Sequence, residues 1–157
     1  MGQEIERKFR VAGDGWRTNA GIRFRQGYLC AEKERTVRVR TEGERAVITV
    51  KGATRGVTRS EFEYEIPKED ADEMLDTLCG RPLIEKTRHK VEHGGLTWEI
   101  DEFSGDNEGL VIAEVELEDE AQEFARPDWL GEEVSGDPRF FNANLAKEPY
   151  ARWRDDG

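Results

Sequence analysis

The chain of 157 residues is poor in several residue types on which whole classes of protein depend. It has two cysteines, Cys30 and Cys79, far apart and outside any CxxC pair. A disulfide framework is therefore not expected, and both read as reduced thiols. It has two histidines, His89 and His93. Their HxxxH spacing binds zinc on a helix, but this pair ends an alternating segment that runs into Gly94-Gly95, so both read as surface or packing residues. No Ser-His-Asp arrangement is evident, and Lys51-Gly52 lacks the GxxxxGK[ST] order of a phosphate-binding loop. No apolar run approaches the ~20 residues of a membrane span, and MGQEIERKFR does not read as a signal peptide, so a cytoplasmic protein is expected. Basic charge is also in deficit: 24 Lys and Arg face 35 Asp and Glu, a net charge of −11. That excludes a nonspecific nucleic-acid or anionic-membrane surface, though not a local basic pocket.

Charge itself is abundant, at 38% of residues against roughly 25% in an average protein. The length suits one domain, residues 1–157. Much of the charge falls in period-two alternation, the pattern of strands. Segments 3–11, 24–29, 36–41, 46–51, 61–66, 86–91, 97–101 and 113–118 read as eight strands. They put Glu4, Glu6 and Lys8 on one face, then Arg38 and Arg40, Lys51, the acidic row Glu61, Glu63 and Glu65, and the basic row Lys86, Arg88 and Lys90. Glu99 with Asp101, and Glu114, Glu116 and Glu118, complete the set. Helices are expected at 67–79, where Ala71, Met74, Leu75 and Leu78 follow Pro67, at 119–125, and at about 141–154 with a kink at Pro149. Short turns between most strands predict antiparallel pairing.

Two architectures accommodate these rows. In a two-layer protein the charges face water, as half-solvated strands commonly do. Eight strands are also about the number that closes a small barrel. A barrel closed on the charged face would hold about seven cations and ten carboxylates, too costly to keep dry and unpaired. Clustered Arg and Lys favour phosphate or carboxylate oxygens. Clustered Asp and Glu favour hard cations, Mg²⁺ or Mn²⁺. A polyphosphate carrying metal ions satisfies both. In Glu4-x-Glu6-x-Lys8, two carboxylates and an ammonium share one strand face over roughly 13 Å.

The opening EIERKF resembles the signature of the CYTH superfamily, also called triphosphate tunnel metalloenzymes. RQGYL (25–29), TVRVR (36–40), ITVKG (48–52), RSEFEYEI (59–66), EKTRHKV (85–91), WEIDEFSGDNEGL (98–110) and AEVELE (113–118) resemble the same family in the same order. FFNANLAKEPY (140–150) is similar to its C-terminal helix. The resemblance implies a mainly β, α+β protein: an eight-stranded antiparallel closed barrel, open as a tunnel, with helices packed outside. It implies hydrolysis or cyclisation of triphosphates with divalent metal, two ions in all. By motif, Glu4 and Glu6 would help hold the second metal and orient the attacking water. Lys8, Arg38, Arg40, Lys51, Lys86 and Arg88 would clamp phosphate oxygens. Glu114 and Glu116 would hold the first metal, with Glu61, Glu63 and Asp101 beside them. Glu65, Lys90, Glu99 and Glu118 rest on parity alone, and Tyr28 matches QGYL without an assigned role.

The leading expectation is an inorganic triphosphatase that cleaves tripolyphosphate to pyrophosphate and phosphate. Class IV adenylate cyclase, thiamine triphosphatase and nucleoside triphosphatase would use the same residues. From other classes, a non-catalytic polyphosphate-binding module would not need the excess of carboxylates, and a lipocalin-like carrier would need an apolar lumen. The expected partner is a triphosphate small molecule, with no nucleic acid and no membrane. A homodimer is kept open as an assembly.

Overall fold

The computed structural model describes residues 2–153. Its strands are β1 (Gln3–Val11), β2 (Ile22–Ala31), β3 (Arg35–Glu42), β4 (Arg45–Gly52), β5 (Thr58–Glu65), β6 (Ile84–His93), β7 (Leu96–Phe103), β8 (Val111–Glu116) and β9 (Leu130–Glu133). Two α-helices, α1 (Lys68–Thr77) and α2 (Asn142–Lys147), join them. The sheet order is β5-β4-β3-β2-β6-β7-β8-β1-β9, and β1 also pairs with β5. That last pairing, Gln3 opposite Ser60 through Ile5 opposite Thr58, closes an eight-stranded antiparallel barrel. β1 thus has β8 along one edge and divides the other between β5 and β9. No helix among the described residues is long and apolar enough to cross a membrane.

Alternation explains which side of the wall each residue takes. Outward Phe9, Trp98, Ile100, Ala113 and Val115 form a cluster with Trp16, Leu117 and Trp129 from the connecting segments. Burying each large side chain of this kind contributes roughly 1.5–3 kcal/mol. Outward Val39 and Ala46 pack beneath Ala71 and Leu75 of α1, so this helix lies outside the barrel. The expected face of α1 is present except at Leu78, which has left the helix and is exposed. The β6–β7 hairpin turns at Gly94 and Gly95, both at positive φ (61° and 80°), which residues with a Cβ adopt only at a cost.

The second helix takes a different place. Inward Ile84, Phe103 and Ile112, at one end of the barrel, pack with Leu110, Phe140 and Leu145. The C-terminal segment carrying α2 therefore fills the β6–β7–β8 side of that end instead of lying on an outer wall. The helix expected at 141–154 stops at Lys147 ahead of Pro149, which lacks the N–H a further turn needs, and Tyr150–Arg152 form a short 3-10 turn. Residue 154 lies outside the described residues. The helix expected at 119–125 is absent. There Asp119 ties its own turn, its carboxylate accepting from Ala121 N and its carbonyl from Gln122 N, while Phe124 is drawn against Phe9 and Trp98. β9, with sequence LGEE, carries no alternation and was not expected.

Candidate active site

The barrel encloses a cavity of about 620 Å³. Its lining reaches exposed Glu63 and Glu116 at one end and exposed Glu32, Lys33 and Thr54 at the other. The lumen is charged, which excludes the apolar-ligand carrier. Glu4, Glu6, Lys8, Arg38, Arg40, Lys51, Glu61, Glu63, Lys86, Arg88, Glu99, Glu114 and Glu116 all line it, with Tyr28. Asp101 lies just behind, fully buried against Lys86 and Arg88. Three residues of correct parity do not reach the cavity: Glu65, Lys90 and Glu118 are exposed. Glu65 pairs with Arg45 at the rim. Glu118 lies beyond the end of β8, where the ladder no longer fixes an inward direction.

Six cations, Lys8, Arg38, Arg40, Lys51, Lys86 and Arg88, are buried here. Five are paired. Lys8 Nζ is 3.0 Å from Glu114 and 4.0 Å from Glu6. Lys51 Nζ lies 3.1 Å from Glu4 and 3.3 Å from Glu61. Lys86 Nζ is 2.7 Å from Asp101, and Arg88 donates twice to the same carboxylate at 2.7 and 2.9 Å. Arg40 is held by Glu42 at 2.7 Å. Arg38 has no ion-pair partner among the described residues, and its buried Nε has no hydrogen-bond acceptor. The inward ring of Phe24 spaces two of these groups, with the Arg40 and Arg88 guanidinium carbons each 4.8 Å from its centroid.

Crowding of like charge shows in the proton affinities. Burial lowers Arg40 to about 10, with Arg38 and Arg88 adding to the effect. Burial also brings Lys86 down to about 7, against the pull of Asp101. On the acidic side, burial raises Glu6 to about 8, reinforced by Glu114 and Glu4. Glu61 and Glu116 are raised by burial and by the neighbouring Glu4. Burial pushes Glu4 and Glu114 up too, but it is outweighed: Lys51 and Arg59 hold Glu4 down, and Lys8 and Arg88 hold Glu114 down. Against the effect of burial, Lys8 and Arg88 are instead raised, by Glu114 and Asp101 respectively, so cations and carboxylates interleave through the lumen.

The acidic donor set fits a hard divalent cation, which takes carboxylate oxygen. Among the described residues no three Asp, Glu, His or Cys side chains form a preassembled cage. Mg²⁺ commonly does without one, keeping several waters and using one or two carboxylates plus substrate phosphates.

A family profile described as the CYTH domain matches residues 2–147. The chain belongs to the CYTH family. A relative from Acetivibrio thermocellus, named inorganic triphosphatase, is 52% identical over 156 residues, 99% of this chain and 100% of that protein. Another of the same name, from Nitrosomonas europaea, is 38% identical over 148 residues, covering 91% of this chain and 96% of its own. The crystal structure of an inorganic triphosphatase superposes with a TM-score of 0.62 at 35% identity, over 91% of this chain and 93% of that one.

Four residues at this CYTH site fall outside the predicted charge rows. Arg59 lines the cavity, its Nε 3.5 Å from Glu4. It shares parity with Glu61 and Glu63, so the signal was present. Phe24, Gln26 and Asn142 carry no charge, and nothing in an alternating charge pattern marks them. The ring of Phe141 also lines the cavity, with Lys8 Nζ 5.7 Å from its centroid. His89 points outward and serves as a packing residue. It is buried edge-on to Trp16 at 5.1 Å, with Nδ1 3.1 Å from Asn19 O.

Proposed function

We propose that this CYTH protein is a divalent-metal-dependent inorganic triphosphatase, hydrolysing tripolyphosphate to pyrophosphate and orthophosphate. The observation that carries the reading is the charged lumen, in which buried Arg38 has no ion-pair partner among the described residues, while burial and the neighbouring Glu114 and Glu4 raise Glu6 to about 8. A polyphosphate answers the first deficit and a cation the second. The two relatives named inorganic triphosphatase support it.

In this mechanism Arg38, Arg40, Lys51, Lys86 and Arg88, with Lys8, hold the phosphoryl oxygens in line. Phosphoryl transfer asks mainly for positioning and charge neutralisation, and buried guanidinium and ammonium groups provide both without reorganising. Two divalent cations, one held by Glu4 and Glu6 and one by Glu114 and Glu116, with Glu61, Glu63 and Asp101 nearby, would neutralise developing charge and acidify water. Glu4 and Glu6 orient the attacking water toward the terminal phosphorus and accept its proton as the new P–O bond forms. The bond from that phosphorus to the bridging oxygen breaks, and pyrophosphate leaves against the cationic wall. Glu99 lines the cavity 3.3 Å from Arg88 and keeps that guanidinium turned inward.

The test is phosphate release from tripolyphosphate, ATP and thiamine triphosphate, each with Mg²⁺, Mn²⁺ or EDTA, with cyclic AMP measured alongside. Metal-dependent release, fastest from tripolyphosphate, is expected. Cyclic AMP as the main product would make the protein a cyclase. Binding without cleavage under any metal would make it a polyphosphate-binding module.

A further inference from the structure

Asn142 is oriented in an unusual way. Its Oδ1 accepts hydrogen bonds from Gln26 Nε2 at 3.1 Å and from Lys86 Nζ at 3.0 Å. A carboxamide oxygen has two lone pairs, and both are used. Turning the amide over would set its NH₂ against an ammonium and a second NH₂, donor against donor. The oxygen is therefore fixed toward the wall and the nitrogen away from it.

Gln26 sharpens the point. It is fully buried, and its Oε1 has no partner among the described residues. Rotating the Gln26 amide would bring that oxygen onto Asn142 Oδ1, acceptor against acceptor. The orphaned acceptor is the consequence of committing Gln26 to orient Asn142. Buried polar groups left unsatisfied are uncommon in folded proteins and concentrate where function needs them.

Asn142 lines the cavity, and its Nδ2 makes no hydrogen bond to a described residue. Two N–H donors, locked in direction, thus face the lumen beside Lys86. We infer that Asn142 is a substrate-binding residue whose side-chain amide donates to a phosphoryl oxygen held by Lys86, so that the C-terminal segment supplies part of the phosphate clamp. This rests on the triphosphatase reading. It assigns Asn142 a directional, uncharged contact among point charges, and it gives α2 a chemical task besides covering one end of the barrel.

The alternative is a brace, in which Asn142 only steadies Lys86 and Gln26 through Oδ1. Asn142→Asp separates the two. It keeps both acceptor contacts at the same size and replaces the NH₂ by an anionic oxygen, which repels phosphate. Asn142→Ala removes brace and donor together. Binding of tripolyphosphate is measured by calorimetry in EDTA, with KM and kcat measured under Mg²⁺ and thermal melts for each variant. Asn142→Ala is expected to weaken binding roughly tenfold or more, as for one hydrogen bond to a charged group, and to raise KM more than it lowers kcat. Asn142→Asp is expected to be weaker still. If Asn142→Asp binds like the wild type while Asn142→Ala does not, the residue is a brace and the inference is overturned. Unchanged affinity in both variants overturns it equally. If the Asp variant does not fold, Asn142→Leu, similar in size and without polar atoms, gives the second arm, and wild-type affinity there refutes the idea. A wild type that neither binds nor cleaves tripolyphosphate overturns the functional reading, and this inference with it.

Discussion

Glu6→Gln should make the metal-free protein more stable while removing its activity. In the folded protein the Glu6 carboxyl titrates at about 8, because burial and the neighbouring Glu114 and Glu4 disfavour its anion; the ordinary value is 4.5. Between those two pH values the unfolded chain has released a proton that the folded chain still holds. Stability therefore falls as pH rises from 4.5 through 8. A tenfold difference in proton affinity between the folded and unfolded chain is worth about 1.4 kcal/mol, so up to roughly 4 kcal/mol is at stake near neutral pH. Glutamine keeps the size and cannot ionise. Allowing for relaxation of its neighbours, the variant should gain roughly 2–3 kcal/mol at pH 7.5, or about 5–10 °C in a chain of this length. Near pH 4.5 the gain should shrink to almost nothing. Urea denaturation in EDTA across that pH range, for wild type and variant, measures the difference directly. A gain independent of pH, or a net loss at pH 7.5, would refute the account of Glu6. Full metal-dependent turnover by Glu6→Gln would refute its place in the mechanism.

Arg38→Met should behave in the same sense for the opposite charge. It removes a buried guanidinium that has no counter-ion among the described residues, so stability in urea should rise by about 1–3 kcal/mol while kcat/KM for tripolyphosphate falls at least a hundredfold. Binding of Mg²⁺ with tripolyphosphate should release protons at pH 7, because Glu6 must ionise. Enthalpies in buffers of different ionisation heat will show that release, and affinity should rise with pH. Outside the lumen, Trp98→Ala should lower stability by about 3–5 kcal/mol with KM unaltered in the folded fraction, because Trp98 is wholly buried in the outer cluster. Trp98→Phe should cost far less, since the indole N–H it removes has no acceptor among the described residues; matched urea melts test both.

The rows of like charge were legible because strand geometry writes itself into sequence with a period of two. Arg38 and Arg40, Lys86 and Arg88, and Glu114 and Glu116 need only parity to be placed on one wall. Whether that wall faces water or a lumen depends on Gln3–Ile5 meeting Thr58–Ser60 across more than fifty residues, and no local pattern encodes such a pairing. Parity also has no sense of where a strand or the cavity stops, so Glu118 falls beyond the end of β8, while Lys90 and Glu65 lie on strands but are exposed outside the cavity. The helix expected at 119–125 lost to a side chain that satisfied the backbone locally. Gln26 and Asn142 were invisible for another reason. An amide matters through the direction of its donors, and direction exists only once β2, β6 and α2 have met.

The divided edge of β1 has a consequence for how the protein comes into being. The strand bearing Glu4, Glu6 and Lys8 precedes the other strands in the chain, yet its neighbours are Thr58–Ser60, Ile112–Glu116 and Leu130–Glu133. Its pairing with β8 and β9 waits for most of the chain, and such distant pairings make for slow folding. Its arrival seals the ring and installs the acidic residues together. Catalytic competence in this protein therefore reports that the seam is shut, and a partly wound chain carries no half-working site.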